Sequence, residues 1–416
     1  MIFVSSHPKP AVVSPGLSSP SGPWIFSDVF FNAIRYSFSP LICIFSFDSI
    51  GAIFQENKLV QDVVFLVGKT YLLHISYRRT YDLRESLHRL QYQVLQELDI
   101  SNTKRFTAAL LSACLLSLVE KLIIDESAKG WRSLTRKIRA FILFHAGITE
   151  TQPHLRSSVY WFARISNATR AICFGENLPL PLSSMTCVKL ETLRYPTSQI
   201  SISARVEENI ELLAIYLESW ARVQSWSIYW VKKSEELYSK DNCSKTHISS
   251  CPALGKTYGK LPSEHITLGI EIICSASRLQ RAIITTILSY VDTPVSGIRP
   301  AILSLLPYYQ WSLAGLSRQF DHPAWSSLGC SLPIMHNDLI HQQAIQAFEF
   351  AEESLRSTDF EALLYIPIMN VVGFEMQTEQ ERTRVLEFVA TLKTKGFAVA
   401  GKVERDLKTA WVGKMQ

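Results

Sequence analysis

Apolar residues recur at helical spacing along most of the chain. Between Asp82 and Leu98 they fall three or four positions apart, which predicts a helix with one buried face. That face comprises Leu83, Leu87, Leu90, Val94 and Leu98. Asp82 can cap the first turn while Glu85 reaches back, a variant of the capping box. This segment is therefore predicted to lie on the surface of a helical core.

Two other segments are rich in apolar residues. One is apolar on most sides, which is typical of a helix buried all round, and the other is the longest uncharged stretch that could suggest a membrane span. The first runs from Thr103 to Ile124, through Cys114 and Leu118. The second runs from Pro300 to Ser317 and contains Pro307 and Gln310. Because of its proline, glutamine and serines, we interpret the second segment as a buried helix of a soluble protein and not as a membrane span.

Aromatic and basic residues mark two further predicted helices. Glu207 to Lys232 places Ile210, Leu213, Leu217 and Trp220 in register, and Trp226, Tyr229 and Trp230 follow. This aromatic cluster could line a ligand pocket, but helix packing is the favoured interpretation. Trp131 to His145 is amphipathic, with Arg132, Arg136, Lys137 and Arg139 mostly off the apolar face. Those charges could contact phosphates, although a solvated helix face has the same pattern.

The C-terminal segment has the clearest helix boundaries. Thr378 and Glu381 have capping-box spacing, and a buried stripe follows at Val385, Phe388, Val389 and Leu392. Gly396 suits the end of that helix, and Val403, Leu407 and Trp411 continue at spacing four. Glu375 lies just before the helix, where a carboxylate favours the N-terminal dipole, so a structural role is preferred over a catalytic one.

These patterns predict an all-α fold, a single large multi-helical domain with buried hydrophobic helices. No stretch alternates apolar and polar residues as a strand would. Residues 1–23 are rich in proline and serine and are predicted to form a disordered tail. Residues 24–416 then form the domain, with an exposed loop at about 239–263, where turn formers replace periodicity.

Composition excludes several protein classes. The chain of 416 residues is 47% apolar with a mean hydropathy of +0.10, so it can bury a large core. Its net charge of +5 does not by itself indicate a nucleic-acid binder. The 8 cysteines form no C-x-x-C pair, so no zinc-cluster spacing is present. We expect them to be buried and reduced, in an intracellular protein with no signal peptide.

Candidate catalytic chemistry is sparse. The chain contains no nucleotide-binding glycine loop, no nucleophile elbow and no H-E-x-x-H motif. Glu85 with His88 and Asp338 with His341 are carboxylate-x-x-His pairs, which on two facing helices resemble half of a di-iron site. Capping by Glu85 and solvation of His88 provide a simpler explanation. We predict no catalytic residue, no cofactor and no metal, and keep a helical ligand- or metal-binding enzyme using these pairs as the alternative.

One stretch resembles a known family. "LLYIPIMNVVGFEMQTEQERTRVLEFVATLKTKGF", followed by "AVAGKVERDLKTAW", resembles the C-terminal block of the fungal-specific transcription factor domain. The shared pattern is an apolar helix around Pro367, a Gly-x-Glu turn, a charged helix and a final helix ending in tryptophan. Its residues here are Pro367, Gly373, Glu375, Arg382 and Trp411, and Trp131 matches an earlier position.

The resemblance implies a regulator of transcription in the nucleus, with one departure from the family pattern. Family members usually bind DNA through a six-cysteine zinc cluster before this domain, whereas the first 100 residues here contain only Cys43. Direct sequence-specific DNA binding is therefore doubtful, and the expected partners are other transcription regulators or the transcription machinery. The length and the missing cluster resemble stand-alone regulators of fungal trichothecene toxin gene clusters. A protein–protein adaptor without regulatory specificity is a further alternative.

Overall fold

The computed structural model describes part of the chain. It covers residues 24–31, 47–75, 83–97, 103–123, 164–165, 168–169, 171–173, 202–243, 261–291, 305–357, 368–369, 371–394, 397 and 399–414. This part is 90% helical and contains no strand. The predicted all-α fold is therefore confirmed. The tail 1–23, the helix predicted from Trp131 to His145, and Pro367 lie outside the described residues.

The helices of the described part fall into two groups along the chain. The first group is α1 (Trp24–Val29), α2 (Phe47–Glu56), α3 (Lys58–Ile75), α4 (Leu83–Gln96) and α5 (Thr103–Ile123). The second is α6 (Ile202–Cys243), α7 (Ser263–Val291), α8 (Leu306–Arg318), a 3₁₀-helix (Pro323–Leu328), α9 (Asn337–Ser357), α10 (Glu379–Thr394) and α11 (Val399–Lys414).

Helix α3 is the packing centre of the first group, because α1, α2, α4 and α5 all contact it. Gly68 allows α1 to approach, since a Cβ at this position would overlap the carbonyl oxygen of Phe26. The stripe predicted for α4 is confirmed at Leu83, Leu87, Leu90 and Val94, which are all buried. Along α5 the described side chains from Phe106 to Val119 are buried, as expected for a helix that passes through the core.

Helix α8 has the same role in the second group, where it contacts α6, α7 and α9. Every residue from Pro307 to Ser317 is buried, which confirms this part of the predicted buried helix, whereas residues 300–304 lie outside the described part. Gly315 lets α6 come close, because a Cβ there would overlap the indole ring of Trp220. All but two of the described buried apolar residues, from Phe30 to Trp411, belong to one hydrophobic cluster, the exceptions being Ala314 and Ile340. No helix among the described ranges is long and apolar enough to cross a membrane.

Two predictions need correction. Helix α6 extends to Cys243, so the start of the loop predicted at 239 is wrong: polar residues at a helix end were read as the end of the helix. Residues 244–260 lie outside the described part. The cysteines were expected to be buried, but Cys274 and Cys330 are exposed and Cys173 is half-buried, all of them free. Cys274 lies on the outer face of α7, which the apolar run around it did not indicate.

Candidate functional site

Gly373 lies where the final helix crosses the preceding turn. Its carbonyl oxygen accepts a hydrogen bond of 2.9 Å from Nε1 of Trp411. A Cβ at Gly373 would overlap the buried side chain of Leu407, one turn earlier on α11. Glycine therefore allows the close approach of α11, and any larger residue would make Leu407 shift.

Glu375 follows in the same turn and is only 6% exposed. Its two carboxylate oxygens accept hydrogen bonds from Arg318 at the end of α8, 2.8 Å from Nε to Oε1 and 2.6 Å from Nη2 to Oε2. Arg318 also donates to Asp321 at 3.1 Å and to Asn337 at 3.0 Å. The hydrogen bonds to Glu375 raise the pKa of Arg318 above its ordinary value. The negative charge of Glu375 is thus balanced by the guanidinium of Arg318. From the sequence we expected only an interaction with the dipole of the following helix.

His341 on α9 joins this turn to α10. Its Nδ1 lies 2.9 Å from the carbonyl oxygen of Glu375, and its Nε2 lies 3.1 Å from Oε1 of Glu381. Both ring nitrogens therefore face oxygen acceptors. Asp338, the other member of the predicted pair, is 86% exposed and contacts His336 instead.

Glu381 also closes the capping box predicted for α10. Its Oε2 accepts hydrogen bonds from the backbone N–H groups of Thr378 (3.0 Å) and Gln377 (2.9 Å), and Thr378 Oγ1 accepts one from the Glu381 N–H (3.2 Å). Burial alone would raise the pKa of Glu381, but these backbone donors outweigh it and lower the pKa. The capping box and the buried stripe of α10 are both confirmed.

Arg382 on α10 contacts both the preceding turn and Trp411. Its Nε donates to the carbonyl oxygen of Met376 at 3.3 Å, and its guanidinium carbon lies 5.7 Å from the centre of the Trp411 ring. The structure thus brings Gly373, Glu375, Arg382 and Trp411 together, whereas Trp131 and Pro367 lie outside the described residues. We call the assembly the C-terminal junction, made of Arg318, His341, Gly373, Glu375, Glu381, Arg382 and Trp411.

The interactions within the C-terminal junction hold helices together. Each charged group has an opposite charge or a backbone partner within hydrogen-bond distance, and each carboxylate oxygen of Glu375 accepts a hydrogen bond from Arg318. A general base needs a lone pair directed at substrate, whereas the carboxylate of Glu375 is only 6% exposed and faces Arg318. The C-terminal junction therefore connects α8, α9, α10 and α11.

The alternative metal site finds no support in the described part of the chain. Glu85 and His88 are exposed on α4, and the other pair is split, because His341 faces Glu381 while Asp338 faces solvent. Among the described residues no group of three or more His, Cys, Asp or Glu side chains is arranged to hold a metal ion.

The aromatic cluster of α6 packs mainly into the core. Trp220 and Trp230 are buried, whereas Trp226 is half-buried and Tyr229 is exposed. Trp230 stacks on Trp325 of the 3₁₀-helix, with ring centroids 4.1 Å apart. The favoured interpretation, helix packing, is confirmed for Trp220 and Trp230.

On its other face Trp230 stacks on His265 of α7, with centroids 4.9 Å apart. Nε2 of His265 lies 2.8 Å from Oγ of Ser234, and burial lowers the pKa of the imidazole. The Ser234 hydroxyl also donates to the carbonyl oxygen of Trp230. Because Ser234 is fully buried, this pair holds α6 against α7 and gives no access to a substrate.

Sequence reasoning missed the cation that pairs with Glu375. Arg318 lies 57 residues earlier, so no local spacing connects the two. The available signal was the charge itself, a basic residue directly after a long apolar helix. It also missed the pair between Arg164 and Glu218, which is separated by 54 residues.

Comparison of the chain with models of protein families, with curated proteins and with solved structures found no match.

Proposed function

We propose that this protein regulates transcription of a fungal secondary-metabolite gene cluster. The candidate cluster is one that directs the biosynthesis of trichothecene toxins. The protein acts in the nucleus through protein partners, either other regulators or the transcription machinery. The proposal rests on the resemblance of the C-terminal block to the fungal-specific transcription factor domain. The all-α fold is compatible with that resemblance.

The observation that favours a binding protein over an enzyme is that Arg318 pairs with both carboxylate oxygens of Glu375. Glu375 is the buried carboxylate of the matching block, and Arg318 takes up both of its oxygens. Its contacts join helices, as expected for a scaffold that presents surfaces to other macromolecules. DNA reading is assigned to the partner, because the sequence has no closely spaced set of cysteines for a zinc cluster.

Gene deletion tests the proposal. We expect transcripts of one metabolite cluster to change by about tenfold or more while transcripts of neighbouring genes do not change. Unchanged cluster transcripts would contradict a regulatory role.

A second strain separates regulator from enzyme. In the deletion strain, the cluster genes are placed under a constitutive promoter. A regulator is then dispensable and the product returns, whereas an enzyme of the same pathway stays missing and the product remains absent. Chromatin occupancy of a tagged protein, with and without its partner, then distinguishes a cluster regulator from a general adaptor.

A further inference from the structure

The side of α7 that faces away from the core carries a row of residues with coiled-coil spacing. Between Ile270 and Leu288 the residues of this row are alternately four and three positions apart, so they lie along one face of the helix. We call the row the outer stripe, and it consists of Ile270, Cys274, Ser277, Arg281, Ile284 and Leu288. Ile272, Ala276 and Ile283, on the other side of α7, are fully buried. The outer stripe is about 27 Å long, the rise of a helix over this number of residues.

Three members of the outer stripe expose large apolar side chains. Ile270 is 42% exposed, Ile284 38% and Leu288 58%. Cys274, between the two isoleucines, is also exposed and is a free thiol. Large apolar side chains at the core positions of a heptad pattern are typical of a helix face that packs against another helix.

Arg281 brings a positive charge into the outer stripe, one turn before Ile284 and Leu288. Its Nε donates to the carbonyl oxygen of Ser277 at 3.3 Å, and no carboxylate in the described part of the chain pairs with it. The hydroxyl of Ser277 donates to the carbonyl oxygen of Ile273 at 2.8 Å. The hydroxyl is therefore satisfied within α7, whereas the guanidinium has further donors that a carboxylate could accept.

The charge of Arg281 decides which helix fits the outer stripe. Two copies of α7 packed in the same direction would place the two Arg281 guanidiniums against each other. Packed in opposite directions over the whole outer stripe, each guanidinium would face the hydroxyl of Ser277 and would again have no carboxylate. A polar residue at one core position of a coiled coil selects the partner that complements it, and arginine pairs most strongly with a carboxylate.

We propose that the outer stripe binds an amphipathic helix of another protein. This helix has apolar residues at its a and d positions and an aspartate or glutamate opposite Arg281. The inference rests on the proposed function for the existence of a protein partner, and it names the surface and the chemistry by which that partner is bound.

A synthetic helix tests the surface directly. The probe is a labelled peptide of about three heptads with leucine at its a and d positions, except for glutamate at the central a and the central d. One of these glutamates faces Arg281 whichever way the helix runs, and together they oppose self-association of the peptide. A control peptide has lysine at both positions. Fluorescence anisotropy of each peptide is measured during titration with the full chain, and we expect the glutamate peptide to bind more tightly than the lysine peptide.

Two variants of the full chain make the test specific. Arg281→Glu should weaken binding of the glutamate peptide by about fivefold or more and strengthen binding of the lysine peptide. Ile284→Gln should weaken binding of both peptides by about 5–10-fold, because an apolar contact is lost. Arg89→Glu, at an exposed position of α4, changes the net charge as Arg281→Glu does and should leave both affinities unchanged.

Cys274 reports whether the outer stripe is open. The native protein is alkylated with N-ethylmaleimide, and the rate at each cysteine is read by mass spectrometry. Cys274 and Cys330 are both exposed, and only Cys274 belongs to the outer stripe, so both should react in the free protein. The glutamate peptide at about ten times its Kd should slow the reaction of Cys274 by about tenfold and leave that of Cys330 unchanged.

Three results would overturn the inference. The first is a glutamate peptide that shows no saturable binding below about 1 mM, or that binds Arg281→Glu as tightly as the wild type. The second is a Cys274 that fails to react in the free monomer while Cys330 reacts, since another segment of the chain then covers the outer stripe. The third is a dimer in sedimentation that Ile284→Gln dissociates, since a second copy then occupies it.

Complementation separates this inference from the proposed function. Arg281→Glu and Arg89→Glu are each expressed in the deletion strain, and only Arg89→Glu should restore the cluster transcripts. If deletion changes the transcripts and Arg281→Glu restores them fully, the docking surface is wrong and the proposed function stands. If deletion leaves them unchanged while peptide binding depends on Arg281, the proposed function is wrong and the outer stripe remains a helix-binding surface.

Discussion

Glu375 and Arg318 form a pair whose members differ in burial, and this difference predicts unequal effects of substitution. Glu375 is 6% exposed, whereas the Arg318 side chain is 32% exposed and keeps Asp321 and Asn337 as partners. Arg318→Met, which leaves a buried carboxylate unpaired, should therefore lower the free energy of unfolding by about 3–5 kcal/mol. Glu375→Gln should cost about 1–2 kcal/mol. Urea denaturation of both variants measures the difference.

A double variant and a surface pair complete that experiment. Arg318→Met combined with Glu375→Gln should be more stable than Arg318→Met alone, because the unpaired carboxylate has been removed. Lys58 and Asp62 form the control pair at 2.9 Å, with Lys58 76% exposed, so Lys58→Met should cost about 0.5 kcal/mol or less. Equal costs for Arg318→Met and Lys58→Met would mean that the buried pair contributes nothing.

The Glu381 cap predicts a dependence on pH. Because the folded-state pKa of Glu381 lies below the ordinary value of 4.5, its carboxylate stabilises the fold above that pH. The stabilisation is lost as the pH falls through the lowered pKa. Glu381→Gln should therefore cost about 1 kcal/mol at pH 7, and its difference from the wild type should shrink steadily below about pH 4.5.

Thr378→Ala is the matched comparison for the cap, because a hydroxyl does not titrate in this range. It should cost about 1 kcal/mol in chemical denaturation, with much less change between pH 7 and pH 3. If the cost of Glu381→Gln stayed constant over the same range, the charged form of the carboxylate would not be what stabilises the cap.

The contact between α11 and Gly373 can be tested by substituting Gly373 with alanine, which adds one methyl group. In Gly373→Ala the new methyl group overlaps the terminal methyl groups of Leu407, so this fully buried side chain must shift, and we expect a loss of about 1–3 kcal/mol. Gly51 lies in α2, where an added Cβ would have nothing within 4 Å, and Gly51→Ala should raise stability by about 0.5–1 kcal/mol. Thermal or urea denaturation measures both changes.

A second-site change identifies the cause of the Gly373→Ala effect. Leu407→Ala alone leaves a cavity, but in Gly373→Ala it also removes the overlapping group. The two costs should therefore be less than additive. Full additivity would show that Leu407 is not the group that excludes a side chain at Gly373.

Helical segments were predictable from the sequence where residues three or four positions apart determine the buried face or the cap of the helix. The stripe of α4, the buried α8 and the cap formed by Thr378 and Glu381 depend on spacings of three or four residues, which the sequence displays directly. The end of α6 was misjudged because polar residues at a solvated helix end resemble those of a loop.

At the level of the whole chain, sequence patterns identified residues that form the C-terminal junction, but they did not predict the partners of those residues. Gly373, Glu375 and Trp411 were recognised as a set, but the pairing of Glu375 with Arg318 was not. Arg164 with Glu218 was missed for the same reason. Such pairs join residues far apart in sequence, and only the packing of the helices determines which charges meet.

The proposed function predicts how the isolated protein behaves toward DNA. With a net charge of +5 and no zinc-cluster spacing, the purified chain should bind DNA weakly, with a Kd of about 1 μM or higher at physiological salt and little preference for sequence. Titration of labelled promoter and scrambled duplexes at several salt concentrations measures this. Nanomolar, sequence-selective binding would show that the chain reads DNA without a partner.

The stacked rings of Trp230 and Trp325 also give the protein an intrinsic spectroscopic signal. Two indoles 4.1 Å apart and inclined by 14° couple their electronic transitions, which gives circular dichroism in the near ultraviolet. Trp325 belongs to the 3₁₀-helix and Trp230 to α6, so this signal follows the docking of one onto the other. Undocking would reduce the near-ultraviolet band while the helical signal in the far ultraviolet persists, and it can be followed without any label.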